Sequence, residues 1–80
     1  MISDRLRRYR TLKLRGEISP EDLGLECLEL EQAIATLEPL ERIVLREYYI
    51  QGKSWKEVQN YIRYSEAHTF RIAARALARL

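Results

Sequence analysis

Residues 51–71 read QGKSWKEVQNYIRYSEAHTFR, and this stretch decides the fold. Gln51-Gly52-Lys53 is a break in which Gly52 is free to turn left-handed, and Ser54 stands where a helix N-cap is needed. From Trp55 to about Ile62 the apolar residues return at helical spacing, with Trp55 or Val58 facing inward together with Tyr61 and Ile62. Arg63-Tyr64 forms a turn, and Ser65 caps a last helix. The inner face of that helix is expected to hold Thr69 or Phe70, then Ile72, Ala73, Ala76, Leu77 and Leu80. Two short helices joined by such a turn make the helix-turn-helix pattern.

The chain before this stretch reads as helix throughout. Pro39 suits the first position of a helix running to about Ile50, whose buried side is Leu40, Ile43, Val44, Leu45 and Tyr48. Ser19-Pro20-Glu21-Asp22 is a helix start, combining a cap, a first-turn proline and two acids at the positive end of the dipole. Leu23, Cys27, Leu30, Ile34 and Leu37 then recur every three or four residues, and Leu25 and Leu28 broaden the apolar stripe. Ile2 to about Leu14 is a basic amphipathic helix with Ile2, Leu6, Tyr9 and Leu12 or Lys13 inward, stopped by Gly16. No segment alternates as a strand does. The expectation is an all-α domain of about five helices: residues 1–36 supply the basic and acidic helices, residues 37–80 the helix-turn-helix, and both belong to one folded unit.

Eighty residues hold one small core and leave little room for a deep catalytic cleft, so a binding module is expected and an enzyme is not. The lone Cys27 permits no internal disulfide and reads as a small hydrophobe on its seam. No apolar run approaches membrane-spanning length, and Met1-Ile2-Ser3-Asp4-Arg5 turns charged at once, which points to a cytoplasmic chain. The formal charge of +2 hides a strong segregation. Residues 1–15 carry six bases against Asp4, residues 16–41 carry eight acids and no base, and residues 42–80 carry eight bases against three acids. Different faces should therefore meet different partners.

In a helix-turn-helix the first helix braces across the DNA backbone while the start of the second reaches base edges in the major groove. Spacing puts Glu66, Ala67, His68, Phe70 and Arg71 in the base-facing positions. Arg46, Lys53, Lys56, Arg63 and Ser65 flank them as phosphate contacts, and Arg71, Arg75 and Arg79 recur every four residues along one side. The same arginine ladder would also serve as a plain solvated face. Trp55 reads as core packing. His68 has only Glu66 at ligand spacing, so no metal site is expected, and with no nucleophile in sight neither is a catalytic residue or a cofactor. The N-terminal bases Arg5, Arg7, Arg8, Arg10, Lys13 and Arg15 either grip DNA as an arm or pair with the acids of the next helix. On that acidic helix, Glu26, Glu29 and Glu31 are left for a protein partner.

The runs Leu37-Glu38-Pro39-Leu40-Glu41-Arg42-Ile43-Val44-Leu45, Tyr48-Tyr49, Gly52-Lys53-Ser54-Trp55-Lys56-Glu57-Val58, Tyr64-Ser65-Glu66 and Arg75-Ala76-Leu77-Ala78-Arg79-Leu80 together resemble region 4 of the sigma factors. Their glycine-lysine-serine-tryptophan and tyrosine-serine-glutamate stretches are most similar to small phage and prophage regulators of Gram-positive bacteria, of the kind grouped with the ArpU and RinA late transcription activators. The resemblance covers residues 37–80 without a gap. It implies a transcription regulator that binds duplex DNA and touches RNA polymerase. A homodimer is expected on separate grounds: one small module makes few phosphate contacts, and paired half-sites raise affinity. The competing expectation is an adaptor or sigma mimic that binds polymerase, a sigma factor or another regulator without reading DNA. The chain departs from the family at three points. Arg63 stands where glycine is usual, Glu66 and His68 where primary sigma factors place arginines, and Gln59 where a small alanine marks the helix crossing.

Overall fold

The computed structural model describes residues 1–80, and it is all-α. Helix α1 spans Ile2–Arg15, α2 Pro20–Ile34 and α3 Pro39–Leu45. Helix α3 continues into one wider π-helical turn, Arg46–Ile50, before α4 (Trp55–Ile62) and α5 (Glu66–Ala78).

The sequence signals for helix ends act as expected. Gly16 takes φ 67° after α1, and the Glu17 and Gly16 amides close back on Leu12 O at 2.9 Å and Lys13 O at 3.2 Å. Ser19 Oγ accepts from the Asp22 amide, and Pro20 and Pro39 occupy the opening turns of α2 and α3. At the start of α3, Glu38 and Glu41 satisfy each other's free amides as a capping box.

One cluster of buried side chains joins both halves of the chain: Leu6 and Tyr9 from α1, Leu30 and Ile34 from α2, Leu37 after it, Val44 and Leu45 from α3, Tyr49 and Ile50 from the π turn, Val58 from α4, and Ile72, Ala73 and Ala76 from α5. Residues 1–36 therefore complete the core over the C-terminal helices. Each fully buried leucine or isoleucine contributes roughly 1.5–3 kcal/mol, and both halves supply such residues to the one core. Burial also pushes the Tyr9 phenol up to about 12, chiefly by desolvation and then through its neighbour Cys27.

Three expectations are corrected and one open alternative is resolved. Leu25 (65% exposed) and Leu28 (58%) do not broaden the buried stripe of α2; they point to solvent. Tyr61 is 60% exposed, because Val58 and Ile62, four residues apart, share the core-facing side of α4 with part of Trp55. Phe70 is exposed and Thr69 takes the buried place, its hydroxyl donating to Ser65 O at 2.8 Å. The helix expected to run to Ile50 widens at Arg46, where the Gln51 amide reaches back five residues to Arg46 O at 2.8 Å. That extra residue per turn buries Tyr49 and Ile50 and leaves Tyr48 half-buried on the flank.

The widened turn leaves carbonyls that α1 satisfies. Arg10 donates to Tyr48 O at 3.0 Å and to Lys53 O at 3.1 Å, and Lys13 donates to Ile50 O at 2.7 Å. Gly52, at φ 77°, lies so close to Leu14 that a Cβ would stand 3.3 Å from Leu14 Cδ2. Helix α1 thus clamps the segment from which α4 departs.

Candidate nucleic-acid interface

Helix α4 is started by a full capping box. Ser54 Oγ accepts from the Glu57 amide at 3.2 Å, and Glu57 Oε1 accepts from the Ser54 amide at 3.2 Å. It ends at Arg63, which takes φ 62° and ψ 39° and donates its amide to Gln59 O at 2.7 Å. This is the left-handed conformation that favours glycine, so the turn holds Arg63 in a strained backbone. Ser65 then caps α5 through the His68 amide at 3.2 Å. Gln59 is half-buried, and α4 and α5 still pack against each other.

All five base-facing candidates, Glu66, Ala67, His68, Phe70 and Arg71, lie on the exposed side of α5. They are not equally free. His68 stacks on Tyr64 with ring centres 4.6 Å apart and planes 7° from parallel, so the tip of the unit is a flat aromatic pair. Phe70 meets the edge of Trp55 at 5.1 Å, Trp55 stacks on Tyr48 at 3.7 Å, and the Arg10 guanidinium lies 4.0 Å over the Tyr48 ring. This ladder runs from α1 to α5 and ties Phe70 to the scaffold. Arg71 forms no ion pair and, with His68, Ile72 and Arg75, borders an open groove of about 340 Å³.

The phosphate candidates divide sharply. Lys56 and Arg63 are exposed and bonded to no other side chain. Arg46 pairs with Glu31 at 3.1 Å. Lys53 pairs with Glu47 at 2.6 Å and lies 4.9 Å over the Tyr61 ring; the hydrogen bond to Glu47 raises its pKa and holds it charged. Arg75 and Arg79 turn back to Glu41, at 3.4 and 3.3 Å, although about half of each side chain remains exposed. Glu41 is only 2% exposed, and the two arginines are its charge partners there. The expected three-arginine ladder thus has one unpaired member, Arg71. The cause is a carboxylate more than thirty residues earlier in the chain, beyond the reach of any local pattern. Only the capping-box spacing of Glu38 and Glu41 hinted that Glu41 turns inward.

The acids expected to face a protein partner are likewise compensated. Glu26 and Glu29 both hold Arg5, and Glu31 holds Arg46. The two readings of the N-terminal bases therefore divide by residue. Arg5 pairs with the acidic helix, Arg10 and Lys13 bind backbone carbonyls, Arg7 approaches Asp4 at 3.4 Å, and Arg8 and Arg15 remain unpaired.

No three His, Cys, Asp or Glu side chains converge at metal-binding distance. No helix is long and apolar enough to cross a membrane. No protein-family model, curated protein or solved structure matches this chain.

Proposed function

We propose that this protein is a DNA-binding transcription regulator of the small phage or mobile-element kind, seating α5 in the major groove while α4 braces across the backbone. One observation carries the reading. Of the 14 lysines and arginines, those with no carboxylate or carbonyl partner are Arg8, Arg15, Lys56, Arg63 and Arg71. Three of these five lie on α4, the turn and the exposed side of α5. The fold engages nine of its bases with carboxylates or carbonyls and leaves Lys56, Arg63 and Arg71 free, so the helix-turn-helix presents unpaired positive charge beside the exposed acids Glu57 and Glu66.

In this reading Lys56 and Arg63 meet phosphates, and Arg71 enters the groove. Ala67 and the Tyr64–His68 stack suit the thymine methyl group, and Glu66 accepts from a cytosine amino group. The protein is a binding module, and contact with RNA polymerase while on DNA is part of the proposal. Titration of duplexes, selected from a random pool, across a range of salt tests it. Affinity should fall with a log–log slope of about −0.9 for each phosphate engaged. Absence of binding at low salt would discard the reading.

A second reading, an adaptor that contacts polymerase or another regulator without DNA, draws on the engagement of Arg75 and Arg79 by Glu41. It requires that transcriptional activity survive Arg71→Glu.

A further inference from the structure

We propose that the outer face of α2 carrying Leu25 and Leu28, with the groove beside it, is a docking surface for a basic amphipathic segment of another protein. The two leucines stand three residues apart, so they share one helix face on consecutive turns, and both are more than half exposed. Leu25 also lines a groove of about 500 Å³ between α1 and α2 that Tyr9, Leu12 and Ile18 make partly apolar. Leu14 on α1 is comparably exposed, but Leu25 and Leu28 are the two exposed leucines that share a helix face, and Leu25 opens onto a partly apolar groove, which marks this side of α2 as a contact surface.

Charge selects the occupant. Helix α2 carries Glu21, Asp22, Glu26, Glu29 and Glu31 and no base. Glu26, Glu29 and Glu31 are neutralised from within the fold, whereas Glu17, Glu21 and Asp22 enter no ion pair; Glu17 and Asp22 line the groove with Leu25, and Glu21 stands one helical turn before Leu25. Against them the groove offers one unpaired base, Arg8. Nucleic acid and anionic lipid are repelled from such a face, and a second copy presenting the same helix would set acid against acid. A helix with large apolar residues at i and i+3 or i+4, flanked by lysine or arginine, satisfies both the leucines and the unpaired carboxylates. The surface is separate from α5, so its occupancy does not depend on the DNA reading.

The test is selection of a displayed random-peptide library on the immobilised full-length chain, with depletion on the Leu25→Gln/Leu28→Gln variant. Both leucines are exposed, so this variant should keep the wild-type helical circular dichroism and melting. The enriched peptides should combine basic residues with apolar residues at helical spacing. Their affinity, read by fluorescence anisotropy, should fall about tenfold or more on Leu25→Gln/Leu28→Gln and severalfold on Glu21→Lys/Asp22→Lys, and should weaken with salt. Failure to enrich, enrichment of peptides without basic residues, or binding indifferent to both variants overturns the proposal. So does sedimentation showing a concentration-dependent dimer of the wild type that Leu25→Gln/Leu28→Gln dissolves, since a second copy would then cover the face.

Discussion

Helix α1 and the α4–turn–α5 unit are both basic, yet the fold engages their charges to different degrees: α1 leaves only Arg8 and Arg15 without a partner, while the second unit gives Arg75 to Glu41 and leaves its other bases free. In α1, Arg5 is held by two carboxylates, and Arg10 and Lys13 are spent on the carbonyls of the widened turn and the loop after it. In α4–turn–α5, Lys56, Arg63 and Arg71 face water with no acceptor supplied. The number of bases on a helix therefore says little about nucleic acid. What matters is whether the fold offers those bases a partner. A π turn does so strongly, because its irregular register leaves backbone acceptors that must be satisfied somewhere.

The largest effect that can break this comparison is on stability. Arg10→Met keeps most of the side-chain stem but removes the donors to Tyr48 O and Lys53 O and the cation over Tyr48. The expected cost is about 2–4 kcal/mol, read from the midpoint and slope of urea unfolding. Arg71→Gln should change stability by less than about 0.5 kcal/mol, as an exposed residue without partners does. Equal effects in the two variants would remove the distinction between spent and bare bases.

The next effect sharpens it from the binding side. Arg71→Gln is expected to weaken duplex binding about three- to tenfold at low salt and to flatten the log–log salt slope by about 0.9, the signature of one lost phosphate contact. If Arg71 instead reads a base edge, affinity falls with the slope unchanged, and the loss depends on the sequence of the duplex. Arg10→Met, measured where it is still folded, should leave the salt slope as it was.

Local chemistry explains which of these features were legible in the sequence. The caps at Ser19, Ser54 and Ser65, the stops at Gly16 and Gly52 and the first-turn prolines act within four residues of themselves, and the helices begin and end where they dictate. Most of the core followed from spacing as well. The π turn did not, because it is fixed by contacts made elsewhere: Tyr48 turning onto Trp55, and Arg10 and Lys13 arriving from α1. The candidate site was legible as a surface but not as a set of free charges. Glu66, Ala67, His68 and Arg71 are exposed as their spacing implied, while the pairing of Arg75 and Arg79 with Glu41 and of Lys53 with Glu47 is a property of the packed molecule.

Arg63 gives the smallest expected effect and the sharpest separation of the two roles a residue of this unit plays. Its backbone lies in the left-handed region at φ 62°, a cost of roughly 1 kcal/mol that glycine would not bear. Glycine also gains freedom in the unfolded chain, which takes back part of that advantage. Arg63→Gly should therefore be neutral or stabilising by about 0.5 kcal/mol in urea unfolding. If the side chain meets phosphate, the same variant should bind duplex more weakly, with the salt slope reduced by about 0.9. Arg63→Lys keeps both the charge and the strained backbone, so it should retain the slope without the gain in stability. Stability and affinity moving in opposite directions in the glycine variant would show that the turn tolerates its strain for the sake of the charge. A glycine variant with undiminished affinity and an unchanged slope would take Arg63 out of the interface and leave Lys56 and Arg71 as its unpaired bases.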